Sequence, residues 1–348
     1  MKTIENIKLT VNSTIRKALT VIDTGAVKFA IVVDGKDRLI GTLTDGDTRR
    51  AILDEKSLDD SIESIYFKDP TVVSINNTKE EIINLCTSKK IYQIPVVDND
   101  GRVVSIYLLD ELLKPEIHPN KAILMVGGLG TRLRPLTDQT PKPMLHVGGK
   151  PILQTIVEKF VSYGFVNIVM CVGYKSSIIQ DYFKDGSKFG ANIEYVLEEK
   201  RMGTAGALSL LREKIKDAFF VMNGDLLTNI NFEHLLEYHL NNSSIATMCV
   251  REYDFQVPYG VVKIENEKIK SIEEKPVHKF FVSAGIYMLD SSCIDLIPND
   301  EFYDMPTLFE KLISMDEHVI SFPLREYWLD IGRIEEYEKA NKEYGEVF

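Results

Sequence analysis

The residues with the clearest chemical potential lie in one glycine-rich run, GGLGTRLRPLTDQTPKPML, at positions 127–145. Its three glycines are Gly127, Gly128 and Gly130. Because glycine has no side chain, a ligand can approach the backbone N–H groups closely at these positions. Arg132 and Lys142 add positive charge, and the prolines on either side of Lys142 stiffen its backbone. A glycine turn after a strand is often only a turn, but these cations favour a site for a phosphate-bearing ligand.

Two familiar phosphate motifs do not fit this run. A dinucleotide-binding fingerprint needs G-x-G-x-x-G, and the stretch from Gly128 to Leu133 lacks the third glycine. A Walker loop needs a Ser or Thr after its Gly-Lys pair, and here Pro151 follows Lys150. The run therefore predicts a phosphate site of another kind.

The elements around this run predict an α/β fold, a Rossmann-like and mostly parallel sheet flanked by helices. Apolar strands alternate with helical segments, as in parallel βαβ units. We expect strands at 122–126, 167–173, 193–198 and 218–225, and helices at 152–161, 176–183, 205–216 and 331–340. Ligands of such sheets bind beyond the carboxyl ends of the strands, where the glycine-rich run begins.

The residues before this sheet form an internal repeat with a smaller α+β pattern. Each half contains a helical stretch followed by two short strands around a glycine-containing turn. The paired strands are 29–34 with 39–44, and 93–98 with 103–108. The stretch 114–121 carries two prolines and no periodic pattern, as a linker does. We therefore expect a front domain at 1–113, a linker at 114–121 and a second domain at 122–348.

The glycine-rich run closely resembles the signature of sugar-1-phosphate nucleotidyltransferases. These enzymes join a nucleoside triphosphate to a sugar 1-phosphate and release pyrophosphate. Further motifs follow in the family's order between Lys121 and about Glu343. They are RMGTAGAL (201–208), VMNGD (221–225), PYGVV (258–262), EEKP (273–276), SAGIYML (283–289) and YWLDIG (327–332).

The resemblance implies a role for each matched residue. Arg132 would hold the β- and γ-phosphates, and Lys142 the α-phosphate and the attacking phosphate. The implied nucleotide-binding residues are Gly127, Gly128, Gly130, Thr131, Met202, Gly203 and Thr204. The implied sugar-phosphate-binding residues are Gly260, Glu274, Lys275 and Gly285. Without the resemblance, Glu274 and Lys275 would be interpreted as a charged pair on a solvated surface.

The resemblance also implies a magnesium site formed by Asp225 and Asp330. Carboxylates are the hard oxygen ligands that Mg²⁺ takes, with phosphate oxygens and water completing the octahedron. Taken singly, Asp225 could be a turn former after a strand, and Asp330 could cap the following helix. The presence of both carboxylates favours a metal site over these separate structural roles. The chain departs from the family at Arg333, a position at which the family often has threonine.

The front repeat resembles a pair of CBS motifs, modules that commonly bind adenine nucleotides and dimerise. GTLTDGD, residues 41–47, matches the family's strand end and helix start, so Thr44 and Asp47 would hold a ribose or phosphate. The second half departs from this pattern, with Leu108 and Glu111 at the matching positions. The alternative is that Thr44 and Asp47 only cap a helix, and that the CBS pair serves only to assemble the protein. We expect an adenine or guanine nucleotide here, and a homo-oligomer formed through the pair.

Composition excludes several other classes. The chain has 348 residues, with 52 acidic against 41 basic residues and a net charge of −11, which disfavours a nucleic-acid binder. Its apolar runs are far shorter than the ~20 residues of a membrane span. Four scattered cysteines, no signal-peptide pattern and no spaced histidine cluster favour a cytoplasmic protein without zinc.

If the protein is such an enzyme, the sequence does not decide the nucleobase of the triphosphate or the sugar of the sugar phosphate. A CBS pair before such a transferase resembles a bacterial branch of nonulosonic (legionaminic) acid synthesis, which implies GTP and glucosamine 1-phosphate. Mannose- and heptose-phosphate guanylyltransferases have similar motifs, and uridylyl- and thymidylyltransferases share the core run. A different class is a nucleotide-sensing binding protein on an inactive transferase scaffold. The intact residues Arg132, Lys142, Asp225, Lys275 and Asp330 argue against it.

Overall fold

The computed structural model describes residues 4–25 and 27–348. The chain divides into two compact units, Met1–Pro115 and Glu116–Phe348. The stretch 114–121 contains neither helix nor strand. Asn120 donates a hydrogen bond to the Ala218 carbonyl, and His118 stacks on Phe165. The residues of this stretch from Glu116 onwards are therefore part of the second unit. Its assignment as a linker between two functional domains stays a prediction.

The first unit contains six short strands and four helices among its described residues. They are β1 (Lys8–Thr10), α1 (Ile15–Thr24), β2 (Phe29–Val33), β3 (Leu39–Thr44), α2 (Asp45–Leu53), β4 (Val73–Ser74), α3 (Lys79–Lys89), β5 (Gln93–Val97), β6 (Val103–Leu108) and α4 (Leu109–Leu112).

These elements repeat the same arrangement twice. β1 is parallel to β2 and β2 is antiparallel to β3, and β4, β5 and β6 repeat those pairings. Helix α1 precedes β2 as α3 precedes β5, and α2 follows β3 as α4 follows β6. The internal repeat expected from the sequence is therefore present.

The second unit contains the larger sheet and its helices. Its elements are β7 (Ala122–Met125), β8 (His146–Val147), β9 (Lys150–Pro151), α5 (Ile152–Ser162), β10 (Asn167–Val172), α6 (Ser176–Phe183), β11 (Asn192–Leu197), β12 (Phe219–Asn223), β13 (Leu226–Thr228), α7 (Phe232–Asn241), β14 (Ala246–Gln256), β15 (Val261–Glu265), β16 (Lys268–Glu273), β17 (Val277–Leu289), α8 (Met305–Ser314), β18 (Val319–Pro323), β19 (Trp328–Asp330) and α9 (Ile334–Val347).

The main sheet has the order β11-β10-β7-β12-β17-β14-β18. The first four of these strands run parallel, β17 is antiparallel to β12 and to β14, and β18 is parallel to β14. The predicted α/β class with a mostly parallel sheet is confirmed. β7 lies between β10 and β12, so the glycine-rich run leaves the sheet near its centre.

An aromatic cluster supports one face of this sheet. Phe160 of α5 stacks on Phe232 of α7 with ring centroids 3.8 Å apart, and it meets Phe220 of β12 edge-on at 5.5 Å. All three rings are fully buried. Such pairs fix the helices over the sheet through shape as well as through apolar burial. This packing fixes α5 and α7 against the amino-terminal part of β12.

Two predicted helices have different bounds in the structure. The segment predicted as a helix at 205–216 contains only a 3₁₀ turn, Gly206–Leu211. The Ala205 and Gly206 N–H groups both donate to the Tyr303 carbonyl, which anchors the start of this segment to a segment distant in sequence. The helix predicted at 331–340 begins at Ile334 and continues to Val347. Its start is fixed by the Glu336 carboxylate, which accepts from the Gly332 and Arg333 N–H groups.

In the described part of the chain, no helix combines the length and apolar character that a membrane crossing requires. The four cysteines Cys86, Cys171, Cys249 and Cys293 are buried with free thiols.

Candidate functional site

A cavity of about 580 Å³ opens at the carboxyl ends of β7, β10, β11 and β12. Its volume lies within the range usual for ligand pockets. Its lining residues are Gly127, Gly128, Leu129, Gly130, Thr131, Arg132, Leu133, Lys142, Gly173, Tyr174, Glu198, Glu199, Lys200, Arg201, Asp225 and Gly332. The glycine-rich run therefore lies on the cavity, as its position after a central strand led us to expect.

The glycines of the run permit two close approaches. Gly130 adopts a left-handed backbone conformation with φ +63°, and a Cβ there would lie 2.9 Å from the Thr137 methyl carbon. A Cβ at Gly127 would lie 2.7 Å from a carboxylate oxygen of Glu198. Both positions therefore need glycine, the first for backbone conformation as well as space and the second for space alone.

Lys142 lies at the inner side of this cavity. It opens a short 3₁₀ turn, Lys142–Met144, directly after Pro141, and its side chain is buried. The ammonium group donates a hydrogen bond to Asp225 and lies 3.9 Å from the nearer carboxylate oxygen of Asp330. A buried charge needs such partners, because removing it from water is costly. Lys142 is therefore held at the point where the two aspartates meet.

The pairing of β13 with β19 brings these two aspartates together. Asp225 immediately precedes β13, and Asp330 ends β19 opposite Leu226. One carboxylate oxygen of each aspartate is buried without a hydrogen-bond partner among the described residues. Burial raises the pKa of Asp330, the Asp225 carboxylate adds to that shift, and Lys142 opposes it. The arrangement concentrates negative charge that one lysine only partly compensates.

The two aspartates fit the donor set of a divalent cation such as Mg²⁺. Each offers a hard carboxylate oxygen that accepts no hydrogen bond from the described residues. Over residues 4–25 and 27–348, no group of three or more His, Cys, Asp or Glu side chains is arranged to hold a metal. Any ion here would therefore take its remaining ligands from substrate oxygens and water, as Mg²⁺ commonly does.

Positive charge on the rim comes mainly from Arg132. Within the described chain, its guanidinium makes no hydrogen bond or ion pair to another side chain, whereas Lys200 pairs with Asp300 at 2.8 Å. Arg201 lies over the Phe302 ring at 5.6 Å. Arg132 is therefore the cation most available to an anionic ligand at the mouth of the cavity.

Glu198 is a lining residue that the sequence analysis missed. It follows β11 directly, and its carboxylate accepts a hydrogen bond from the Met202 backbone N–H. Burial raises the pKa of Glu198, which this hydrogen bond opposes. The rule that ligands bind beyond the carboxyl ends of parallel strands could have selected it.

The predicted base-binding residues Met202, Gly203 and Thr204 do not line this cavity. Met202 is buried, and the Thr204 N–H and hydroxyl both donate to the Asp304 carboxylate. The Thr204 hydroxyl also accepts from the Met305 N–H at the start of α8. These residues anchor the loop, while Glu198 to Arg201 before them face the cavity. Their role in binding a nucleotide stays a prediction.

The predicted sugar-phosphate residues also lie outside the cavity lining. Glu274 and Lys275 are exposed in the turn after β16, and a Cβ on Gly260 would lie 2.9 Å from a Glu274 carboxylate oxygen. Gly285 in β17 is different, because a Cβ there would lie 2.7 Å from the Asn223 amide nitrogen at the end of β12. Gly285 therefore packs directly behind the Asp225 turn.

A second cavity, of about 400 Å³, lies within the first unit. Thr44, Asp47, Arg50, Lys90 and Tyr92 are among its lining residues. Thr44 and Asp47 form the capping box of α2, with the Thr44 hydroxyl donating to Asp47 at 2.6 Å. The other Asp47 oxygen accepts from Arg50 at 2.5 Å. The two predicted residues therefore cap a helix and also face a cavity.

Comparison with family models gives two matches. Residues 121–347 match the model described as Nucleotidyl transferase, and residues 2–54 and 62–115 each match the CBS domain model. The first match covers most of the chain and contains the whole glycine-rich run, Asp225 and Asp330.

Curated relatives include mannose-1-phosphate guanylyltransferases. A probable mannose-1-phosphate guanylyltransferase 1 of rice (Oryza sativa) is 36% identical over 232 residues, 62% of each chain. The mannose-1-phosphate guanyltransferase of Yarrowia lipolytica is 36% identical over 230 residues, also 62% of each. The matched region thus spans 62% of the length of these relatives.

Solved structures with the same fold include two bacterial proteins. A putative glucose-1-phosphate thymidylyltransferase from Bacillus anthracis is 26% identical, with a TM-score of 0.53, over 64% of this chain and 94% of its own. HddC from Yersinia pseudotuberculosis is 28% identical, with a TM-score of 0.52, over 65% and 99%. HddC has also been solved complexed with GMP-PN. With the family match over residues 121–347, the chain belongs to the nucleotidyl transferase family and carries a pair of CBS domains before that region.

Proposed function

We propose that the chain is a sugar-1-phosphate guanylyltransferase, which joins GTP to a sugar 1-phosphate and releases pyrophosphate. The observation that carries the proposal is the position of Lys142. Its ammonium contacts both Asp225 and Asp330 on the lining of a cavity of about 580 Å³, which the rest of the glycine-rich run also lines. A binding protein without activity has no evident use for a buried lysine facing two partly unpaired carboxylates.

In this reaction, an oxygen of the sugar phosphate attacks the α-phosphorus of GTP. The new P–O bond forms as the bond to the β-phosphate bridge oxygen breaks, and pyrophosphate leaves with that electron pair. The attacking phosphate is already ionised near neutral pH, so no general base is required. Catalysis then depends on positioning and on neutralising charge. Lys142 would act at the α-phosphate and the attacking phosphate, and Arg132 at the β- and γ-phosphates.

We further propose that Asp225 and Asp330 hold Mg²⁺ when the nucleotide binds. The ion would supply charge neutralisation on the phosphate oxygens. The buried carboxylate oxygens that accept no hydrogen bond support this assignment. Lys142 would then exchange its contact with Asp225 for phosphate oxygens, which keeps its charge compensated.

Guanine is the base that Glu198 fits best. The Watson–Crick edge of guanine carries two adjacent N–H donors, at N1 and N2, and a carboxylate can accept from both. Adenine, uracil and thymine do not present two adjacent donors on that edge. The guanylyltransferase names of the relatives and the GMP-PN complex of HddC support the same base.

Among the sugars, mannose 1-phosphate has the support of the relatives' names. Glucosamine 1-phosphate, with a place in nonulosonic acid synthesis, is favoured only by the sequence resemblance, and heptose phosphates stay as a further alternative. Gly260, Glu274, Lys275 and Gly285 stay the proposed sugar-phosphate residues.

A substrate matrix tests the proposal. Pyrophosphate release is measured with GTP, ATP, UTP and dTTP, each against mannose, glucosamine, glucose and heptose 1-phosphates. We expect release with GTP and one dominant sugar phosphate. Release with UTP or dTTP alone would reject the guanine assignment, and no release in any combination would favour a nucleotide-sensing protein.

The first prediction concerns the two cations at the phosphates. Lys142→Ala and Arg132→Ala should each lower kcat about a hundredfold to a thousandfold, since removing one donor to transition-state charge costs about 3 kcal/mol. Lys150→Ala is the matched control, because Lys150 pairs with Glu158 and does not line the cavity. Steady-state pyrophosphate release measures all three. An equal loss for Lys150→Ala would contradict a specific role of Lys142 and Arg132 at the phosphates.

The second prediction concerns the carboxylates. Asp225→Asn and Asp330→Asn should abolish most activity and weaken Mn²⁺ binding in the presence of GTP, because an amide oxygen is a poorer ligand than a carboxylate. Electron paramagnetic resonance of free Mn²⁺ measures that binding directly. Asp295→Asn, which changes an exposed aspartate outside the cavity, is the control. Wild-type Mn²⁺ affinity in both site variants would contradict the metal assignment.

The third prediction concerns base selection. Glu198→Gln replaces one acceptor oxygen by a donor that faces the guanine N–H groups, so kcat/KM for GTP should fall at least tenfold. The ratio of kcat/KM for GTP to that for UTP should fall with it. Glu199→Gln, a neighbouring lining residue, is the control. An unchanged ratio in Glu198→Gln would remove Glu198 from base recognition.

We also propose that the cavity of the first unit binds an adenine or guanine nucleotide that regulates the transferase. The support is the cavity itself, because Arg50 and Lys90 offer positive charge beside the Thr44–Asp47 capping box. Coupling between two such sites is typically ~1–3 kcal/mol, so bound substrate should change the regulatory affinity about fivefold to a hundredfold. Oligomerisation through the CBS pair stays a prediction.

The fourth prediction tests this site by calorimetry of the full chain with AMP, ATP and GTP. Arg50→Gln should weaken the preferred nucleotide at least tenfold, since a charged hydrogen bond to phosphate is lost. Arg49→Gln is the control, because Arg49 pairs with Asp45 and does not line the cavity. Equal nucleotide affinities in the wild type and Arg50→Gln would contradict the proposed nucleotide site and favour a CBS pair that serves only for assembly.

A further inference from the structure

The last helix of the chain, α9, begins at a residue that does not suit a helix start. Arg333 occupies its N-cap position, where Ser, Thr, Asp and Asn are preferred because their side chains accept from a backbone N–H group. A guanidinium has no acceptor atom, so the Arg333 side chain cannot cap the helix. Glu336 compensates by accepting from the Gly332 and Arg333 N–H groups, at 2.8 and 2.6 Å. A residue that breaks a local rule in this way is a candidate for a function.

The Arg333 side chain lines a side cavity of about 350 Å³ next to the main cavity. The side cavity is also lined by Arg132, Ile334 and Glu335. Arg132 lines the main cavity as well, and so does Gly332, the residue before Arg333. A Cβ on Gly332 would lie 3.5 Å from an Arg132 guanidinium nitrogen, so the turn that carries Arg333 packs against Arg132. The two cavities therefore share a wall at Arg132.

The two arginines of the side cavity have no anionic partner in the described chain. Over residues 4–25 and 27–348, neither the Arg132 nor the Arg333 guanidinium makes an ion pair or a hydrogen bond. Arg134, also in the glycine-rich run, instead pairs with Asp138 at 3.4 Å. Glu335 lines the side cavity without reaching ion-pair distance of either guanidinium, and it offsets one of the two positive charges. The lining of the side cavity therefore keeps a positive charge available to an anion.

The reaction proposed above gathers more negative charge than the residues assigned so far can neutralise. The triphosphate and the sugar phosphate are both polyanions near neutral pH, and Asp225 and Asp330 add further negative charge. Lys142, Arg132 and one divalent cation do not balance this sum. Negative charge also builds up on the leaving group as the bond to the α-phosphorus breaks. A further cation beside Arg132 would lie at that end of the nucleotide.

We propose that Arg333 binds the pyrophosphate end of the nucleotide, first as the β- and γ-phosphates of GTP and then as the leaving group. The inference rests on the proposed function. When the bond between the α-phosphorus and the bridge oxygen breaks, its electron pair stays with pyrophosphate. The Arg333 guanidinium donates hydrogen bonds to that anion and keeps its proton, since its planar fork matches phosphate oxygens and does not deprotonate in proteins. The side cavity then receives pyrophosphate as it leaves.

Calorimetric titration of the full chain with inorganic pyrophosphate and Mg²⁺ tests the inference. Arg333→Thr should weaken pyrophosphate binding at least about tenfold, because charge-assisted hydrogen bonds to phosphate oxygens are lost. Arg333→Lys keeps the charge without the planar fork, so its affinity should lie between those of the wild type and Arg333→Thr. Arg325→Thr changes an exposed arginine that lines neither cavity, and it should bind pyrophosphate as the wild type does.

Thermal unfolding of the same proteins separates binding from stability. Threonine is a preferred N-cap residue, and with Glu336 three positions later it completes a capping box. Arg333→Thr should therefore unfold at or above the wild-type temperature while it binds pyrophosphate more weakly. A structural role of Arg333 would instead lower the unfolding temperature.

Kinetics in both directions separate this inference from the proposed function. In the reverse reaction, Arg333→Thr should raise the KM for pyrophosphate about tenfold and leave the KM for the GDP-sugar unchanged. A wild type that binds pyrophosphate through Arg333 but turns over in neither direction would reject the proposed function while supporting the pyrophosphate site. Equal pyrophosphate affinities in the wild type and Arg333→Thr, or a wild type that does not bind pyrophosphate, would overturn the inference.

Discussion

The contact between Lys142 and Asp225 is the interaction on which the site depends. A buried ammonium without a carboxylate, or a buried carboxylate without a cation, would carry an uncompensated charge, and breaking such pairs typically costs several kcal/mol. The pair joins the proline-stiffened end of the glycine-rich run to the turn after β12. Because β19 adds Asp330 at 3.9 Å from the same ammonium, three separate segments of the chain meet at one charged point.

The rest of the second unit positions that point. β7 and β12 are adjacent and parallel, so the glycine-rich run and Asp225 leave the sheet at the same edge. The Phe160 cluster fixes the helices behind the sheet, and the Trp328 indole donates to the Ala284 carbonyl, which ties β19 to β17. A rigid scaffold of this kind suits a reaction in which charge stabilisation, and not proton transfer, lowers the barrier.

Much of this arrangement follows from local sequence. The strands before the glycine-rich run and before Asp225 are short apolar runs with clear ends, and the rule for parallel sheets then places their ligand side. The meeting of Asp225 with Asp330 could not be derived in that way, because it depends on β13 pairing with a strand distant in sequence. The helix predicted at 205–216 was wrong, because its apolar pattern did not distinguish an α-helix from the shorter 3₁₀ turn at Gly206–Leu211. Glu198 belonged to none of the family motifs identified in the sequence, although its position directly after β11 indicates the ligand side of the sheet.

We propose that the Lys142–Asp225 contact opens to receive a metal-bound nucleotide. A crystal structure of the full chain with Mg²⁺ and a non-hydrolysable GTP analogue tests it most directly. The account predicts the triphosphate along the glycine-rich run, the ion on Asp225 and Asp330, guanine against Glu198, and the Lys142 ammonium on phosphate oxygens. A nucleotide bound in the second unit with the Lys142–Asp225 contact intact and neither aspartate touching the ion would contradict it.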